Sequence, residues 1–255
     1  MTAGVAASPL GATEDSPAET ALAKVNVVRY GGADRFETSV LTSVALADYL
    51  AGEPQYRGTR SVIVASGQVF ADALVAGQLS GRFHLPILLN PPHALHSKVR
   101  EHLTSNDVKQ VILMGGTAAL SEDVEESIEK LGIRVLRFAG ETRFETAVEV
   151  ARITGLGSCH LGGRSLAVGL TRAWVPYDAF SATPMLARYG APLLLTAPDE
   201  LPAATMAYLD EARATQAGCN NDPLMLIVIG GDAAVSQEAI DAYLQRGEEV
   251  VTTDD

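Results

Sequence analysis

Arg29-Tyr-Gly-Gly-Ala-Asp-Arg-Phe-Glu-Thr38 returns 108 positions later as Arg137-Phe-Ala-Gly-Glu-Thr-Arg-Phe-Glu-Thr146. Other blocks follow in the same order. Asp72-Ala73 recurs as Asp178-Ala179, and Pro86-Ile-Leu-Leu89 as Pro192-Leu-Leu-Leu195, both 106 residues on. Asn106-Asp107, Gly115-Gly116 and Ser121 recur as Asn221-Asp222, Gly230-Gly231 and Ser236, each 115 on. Ordered blocks at nearly constant offset are the mark of a duplicated unit. A period of roughly 110 residues is that of a small domain rather than of a solenoid turn.

The composition suits two such units. The chain has 255 residues, 47% of them hydrophobic but only 5% aromatic, so its cores must be built from Val, Ile, Leu and Ala. No apolar run approaches the ~20 residues that span a bilayer. Met1 to Lys24 lacks the basic start and apolar core of a signal peptide and reads as a disordered leader or linker. A formal charge of −12 argues against nucleic acid and anionic membrane as partners.

Short apolar runs alternate with longer amphipathic stretches. Strands are expected at Val25–Tyr30, Ser61–Ala65, Pro86–Asn90, Gln110–Met114 and Ile133–Phe138, then near Ser165–Gly169, Pro192–Thr196, Leu224–Ile229 and Glu249–Thr252. Their near-continuous β-branched character suits strands covered on both faces. Helices are expected at Arg35–Leu50, Phe70–Phe83, Leu95–Leu103 and Glu122–Leu131. This alternation predicts an α/β fold: two tandem Rossmann-like modules, each a parallel sheet with helices on both faces. The expected division is a leader over 1–24, one module over 25–138 and a second over 139–255.

Asp34 and Thr142, each followed three residues later by Glu37 or Glu145, have the spacing of a capping box. Arg35 and Arg143 fit capping less well, because the first turn of a helix faces the positive end of its dipole. Either an anionic ligand or a structural ion pair accounts for a cation there. The Gly-Gly pairs precede Ser121 and Ser236, which stand as N-caps, and read as tight strand-to-helix turns. Neither the three-glycine dinucleotide pattern nor a P-loop is present, so no cofactor is expected.

His84, His93, His96 and His102 invite a metal reading, but the second unit has Asp199, Pro202 and Tyr208 at the positions of the last three. Scattered histidines on a solvated helix are the expectation, and no metal. Cys159 and Cys219 precede strands of the second unit; two buried thiols and a disulfide are both open. Asp72 and Asp178 sit beside strand ends, where ligands of α/β folds gather, although a capping role serves equally. No nucleophile, base and oxyanion site assemble. Duplicated polar sites without a catalytic set point to binding, since two weak sites on one chain favour a repetitive polymer.

The combined pattern resembles the type 2 cell-wall-binding repeats of Gram-positive surface proteins. The residues that carry the resemblance are Arg35-Phe36-Glu37-Thr38 and Arg143-Phe144-Glu145-Thr146, Ala65-Ser66-Gly67 with Asp72-Ala73-Leu74, Pro86 to Leu89, and Gly115, Gly116 and Ser121. It implies an extracellular, noncatalytic anchor that holds an exported protein to an anionic cell-wall polymer, teichoic-acid-like or a secondary polysaccharide. It also implies a ligand set of Arg35 and Arg143, the Pro86, Ile87, Leu88, Leu89 strand end and its repeat Pro192, Leu193, Leu194, Leu195. Ser66, Gly67, Asp72 and Asp178 join that set through their blocks.

The second unit departs from the family by carrying Thr171-Arg172-Ala173 in place of Ala-Ser-Gly, with Trp174 beside it as a candidate for stacking on a sugar. The family groups its modules in threes and this sequence holds two, so a longer chain or a homo-oligomer is expected. The alternative readings are a protein-protein or self-association module of the cell surface, and a Rossmann-like sugar-nucleotide enzyme.

Overall fold

A strand buried on both faces must find a parallel neighbour on each side and helices above and below, and the apolar runs do so here. The computed structural model describes residues 27–51, 60–154, 167–175, 177–217 and 224–246. The leader, Cys159 and Cys219, and the strand expected at Glu249–Thr252 lie outside these residues. In chain order the elements are α1 (Arg35–Ala51), β1 (Ser61–Ser66), α2 (Phe70–Phe83), β2 (Ile87–Asn90), α3 (Ser97–Ser105), β3 (Gln110–Met114), α4 (Glu122–Glu129) and β4 (Arg134–Phe138). They continue as α5 (Arg143–Thr154), β5 (Ala167–Arg172), α6 (Tyr177–Tyr189), β6 (Leu193–Thr196), α7 (Ala203–Ala217), β7 (Met225–Ile229) and α8 (Gln237–Gln245). One parallel sheet runs β2-β1-β3-β4 and the other β6-β5-β7, so the expected pair of Rossmann-like modules is present.

Side chains along β1 alternate between two cores, as the period of two in a strand requires. Val62 and Val64 face α3 and α4, packing with Val99, Leu103, Val124 and Ile128. Ile63 and Ala65 face α2, packing with Ala71, Val75 and Leu79. That second core does not stop at the first sheet. It takes in Ala147 and Val150 of α5, then Ala173 and Leu195. The other side of α5 sends Val148 and Ala151 into the core of the second sheet, among Val168, Leu170, Leu194, Tyr208 and Leu209. A helix buried on both sides joins the modules. At roughly 1.5–3 kcal/mol for each fully buried aliphatic side chain, the seam is a core and not a linker.

One polar contact fixes the register of the seam. The Gln78 side chain on α2 donates to the Leu193 carbonyl at 3.1 Å and accepts from the Leu193 N–H at 2.6 Å. The amide acts as a one-residue extra strand on β6, the edge of the second sheet. The equivalent position on α6 is Pro184, which has no such amide.

Two expectations are corrected. Residues 27–30, within the strand expected at Val25–Tyr30, form no strand. Their repeat counterpart β4 is ordered by pairing with β3, which belongs to the preceding sheet. Among the described residues no strand pairs with 27–30, and a strand without a partner leaves its backbone groups to water. The histidine-bearing helix is also not simply solvated. His102 is buried, its ring nitrogens at 3.1 Å from Ser43 Oγ and 3.1 Å from Asn106 Nδ2, and burial lowers its pKa. His96 instead caps α3 by accepting from Lys98 N, so the helix begins at Ser97.

Replacing Gln78 by Ala should lower the unfolding free energy by about 1–3 kcal/mol, the loss of two hydrogen bonds at a buried edge. Urea denaturation measures this. Hydrogen exchange should show faster exchange at the Leu193 amide, with β1 amides retaining their order of protection.

Candidate functional site

The repeated ten-residue block folds as a loop docked onto the start of its own helix. Gly32 N–H donates to Thr38 Oγ1 and Gly140 N–H to Thr146 Oγ1, both at 3.0 Å. A Cβ at Gly32 or Gly140 would collide with Glu37 or Glu145, so the close approach requires glycine. Asp34 Oδ1 accepts from Glu37 N–H at 2.8 Å, while Glu37 Oε2 accepts from Ala33 N–H at 2.6 Å. In the second block Thr142 Oγ1 accepts from Phe144 N–H at 3.2 Å and Glu145 Oε2 from Thr142 N–H at 2.5 Å. Reciprocal capping therefore accounts for Asp34, Glu37, Thr142 and Glu145. The Glu37 N–H holds the Asp34 carboxyl below its usual range, and the Thr142 hydroxyl does so first for Glu145.

Capping leaves the arginines unexplained. Arg35 Nη1 donates to the Gly67 carbonyl at 2.7 Å, and Arg143 Nη1 to the Ala173 carbonyl at 3.1 Å. Each therefore bridges a helix start to the C-terminal end of the first strand in its own sheet. Among the described residues neither arginine forms an ion pair within 4.0 Å. Arg35 is exposed and stands 6.0 Å from the Phe36 ring centroid; Arg143 is half-buried and stands 5.8 Å from that of Trp174. Trp174 is 51% exposed and is steadied by an edge-on contact with Phe144 at 5.8 Å.

The other expected residues divide by burial. Ser66 is buried, its hydroxyl accepting from Gln68 and Val69 N–H at 3.2 and 3.3 Å, which shapes the turn after β1. Asp72 is buried against the Gly115 turn, and Asp178 repeats the arrangement at Gly230. Both glycines have positive φ, +95° and +112°, where a side chain is strained, and a Cβ would strike Asp72 at Gly115 and Ala234, with Asp178 close by, at Gly230. Neither Asp72 nor the N-cap residue Val69 caps α2, so Asp72 is not the cap that its position suggested.

The Pro-Leu runs behave differently from the arginines. Leu88 is wholly buried and Pro86, Ile87 and Leu89 partly so, while Pro192, Leu193, Leu194 and Leu195 are all buried. These side chains build the cores. Ser121 occupies an N-cap position without capping, its hydroxyl buried and unpaired, whereas Ser236 Oγ accepts from Ala239 N–H at 3.1 Å.

The duplication is asymmetric at the strand ends. Where the first sheet has Ser66, the second has Arg172, whose Nη1 reaches the Ala233 carbonyl at 3.5 Å while its Nε is buried without a partner. Arg143, Arg172 and Trp174 thus gather at one end of the second sheet. Arg172 was noted in the sequence only as a departure; the signal was a charged residue at the end of a buried apolar strand. Among the described residues no cluster of His, Cys, Asp or Glu suits a metal ion, and no helix is long and apolar enough to cross a membrane.

Residues 29–125 and 137–240 match the family described as Cell wall binding domain 2 (CWB2). Over 217 residues the chain is 28% identical to N-acetylmuramoyl-L-alanine amidase LytC of Bacillus subtilis (strain 168), covering 85% of this chain and 38% of that protein. It is 28% identical over 174 residues to the Amidase enhancer of the same organism, 68% of this chain and 22% of that one. Among solved structures it superposes on Cwp6 from Clostridium difficile with TM-score 0.68 at 21% identity, over 91% of this chain and 34% of that one. For Cwp8 from the same organism the TM-score is 0.63 at 25% identity, over 84% and 32%. The chain spans well under half the length of each of these proteins.

Burial raises the Asp72 pKa, with the charge of Arg143 opposing. The folded protein then holds that proton more tightly than the unfolded chain. The associated stability is present below the ordinary carboxylate pKa and is lost as pH rises through the raised value. Asp72→Asn removes the ionisation, so thermal melts should place the variant above the parent near neutral pH, with the gap closing in acid. An unchanging gap would mean that Arg143 already neutralises the carboxylate.

Proposed function

Because this chain belongs to the cell wall binding domain 2 family, we propose that its two modules grip an anionic secondary polymer of the wall through Arg35 and Arg143. By that membership the chain is an extracellular cell-wall-binding protein with a noncatalytic, anchoring role. The class of polymer and the contact residues are our reading, as is a division into modules over 25–138 and 139–255.

One observation carries it. Two repeat-equivalent guanidinium groups each use a single N–H to reach a strand-end carbonyl and form no ion pair within 4.0 Å among the described residues, although the charge of Arg143 is felt at Asp72. A guanidinium has five N–H donors in a planar fork, which suits a phosphate or carboxylate oxygen pair. Placing a cation at the start of a helix runs against the dipole, and a bound anion removes that conflict. In the second module Arg172 adds a second guanidinium with an unpaired Nε, and Trp174 offers a half-exposed ring face suited to a sugar. The Pro86 to Leu89 and Pro192 to Leu195 strands contribute to the cores rather than to this surface. Asp72 and Asp178 shape the glycine turns. Because the chain carries −12 overall, attraction to a polyanion must be local and must weaken as salt rises.

A self-association role is the second reading. The exposed Tyr177, Phe180 and Met185 of α6 favour it.

Replacing Arg143 by Ala should weaken cosedimentation with purified cell walls by about 10–100-fold, the worth of one or two charge-assisted hydrogen bonds. Arg172→Ala should act in the same direction, and added salt should weaken the parent more than either variant. Binding left unchanged on walls stripped of secondary polymer would rule out that polymer as the ligand.

A further inference from the structure

The two modules hold their repeat-equivalent helices by different means. In the second, α5 docks through Ala147 and Ala151, both wholly buried in apolar cores. The same positions of α1 are Ser39 and Ser43, both buried and both hydrogen-bonded. Ser39 Oγ accepts from Leu89 N–H at 2.9 Å, and Ser43 Oγ lies 3.1 Å from Nε2 of His102 on α3. The counterpart of His102 is Tyr208 of α7, whose hydroxyl donates to the Ala151 carbonyl at 3.1 Å. The same helix-to-helix contact is thus closed by an imidazole in one module and by a phenol in the other.

Geometry fixes which proton the imidazole carries. Asn106 Nδ2 can only donate; it donates to the His102 carbonyl at 2.9 Å and faces Nδ1 of the same residue at 3.1 Å. Nδ1 therefore accepts, and Nε2–H donates to Ser43 Oγ. A second proton, on Nδ1, would meet the amide N–H head on, and turning the amide over would set its oxygen against the His102 carbonyl. No carboxylate among the described residues pairs with this ring. The ionisable groups of α1 are Arg35, Glu37, Asp48 and Tyr49, those of α3 are Lys98, Arg100 and Glu101 besides His102 itself, and β2 has none. All of these partners are exposed except Glu37, which is turned back onto Ala33 N–H. Asp107, beyond Asn106, is exposed and pairs with Arg60 and Lys109. Burial beside the wholly buried Val99 and Leu103 is what lowers the His102 pKa.

We propose that His102 is an acid-sensitive latch, whose protonation loosens α1 from α3 in the first module and leaves the α5–α7 contact of the second intact. The closed helix pair takes up this proton less readily than an opened one, in which water solvates the imidazolium. Closure is therefore complete above the ordinary imidazole value and weakens as pH falls toward and through the lowered one. Tyr208 carries no charge in this range, because burial moves its pKa further up. His96, at the start of α3, is not a second latch: a charge there strengthens its attraction to Asp34 at 3.5 Å while removing the acceptor for Lys98 N–H. Because α1 begins at Arg35, acid would also weaken the first module's hold on the wall. That consequence rests on the wall-binding reading; the latch does not.

Amide hydrogen exchange of the 255-residue chain, without wall material and corrected for intrinsic rates, tests the latch. From about pH 7.5 to about pH 5, protection around Ser43 should fall by about tenfold or more, while protection around Ala151 stays level. His102→Gln keeps an uncharged side chain at the site, so its α1 protection should stay level as well. Should that variant fold poorly, Ser43→Ala combined with His102→Tyr, which copies the second module, takes its place. In the parent, an NMR titration should bring the His102 midpoint and the loss of α1 protection to the same pH. Equal loss of protection in parent and variant overturns the proposal. So does a His102 that titrates while α1 stays protected. Wall cosedimentation at the two pH values is read separately: a latch that opens while binding holds steady counts against Arg35 as a polymer contact, not against the latch.

Discussion

The structure depends on the burial of α5 between two sheets. Most surface helices hide one stripe and show the other to water, but α5 hides Ala147 and Val150 against α2 and Val148 and Ala151 against the second sheet. Its buried residues are small or β-branched, which lets neighbours approach from both sides. Sliding the modules would expose apolar surface on both faces of α5 and break the Gln78 contact with the β6 edge. The two strand ends are therefore held in a fixed relation. Asp72 of one repeat faces the charge of Arg143 from the next across that seam.

The repeated block does several jobs at once. Its glycine permits close approach, its threonine closes the loop, its carboxylates cap the helix, and its phenylalanine packs beside the strand end. Each of these is satisfied inside the module. Only the guanidinium retains unused donors, and it does so in both copies. The recurrence of the block is thus mostly a matter of folding, and the arginine is the side chain of it that folding leaves for the proposed contact. The same division applies to the Pro-Leu runs, whose recurrence reflects buried strands. In the proposed function, binding and scaffold residues would share a motif because the scaffold aims the arginine.

Asymmetry between the copies distinguishes their strand ends. The first sheet ends in a serine that folds a turn, and the second ends in Arg172 next to Trp174. In the proposed wall contact, the first module would offer one guanidinium and the second a mixed cationic and aromatic surface. With a net charge of −12, attraction of a polyanion would be confined to such local cationic points.

By themselves the residues determined the duplication, the parallel α/β class and the helix starts, because repeats, strand periodicity and capping are local in sequence. They also singled out Arg35 and Arg143, since a cation at a helix start conflicts with local electrostatics. What only the tertiary structure decided came from contacts between distant segments. Residues 27–30 share the composition of β4 but pair with no strand among the described residues, whereas β4 pairs with β3. His102 looked like one more surface histidine until Ser43 and Asn106 enclosed it. Gln78 carried no signal at all, because its partner is a backbone 115 residues away. Local pattern sets which groups can pair; packing alone sets which of them are left over for a ligand.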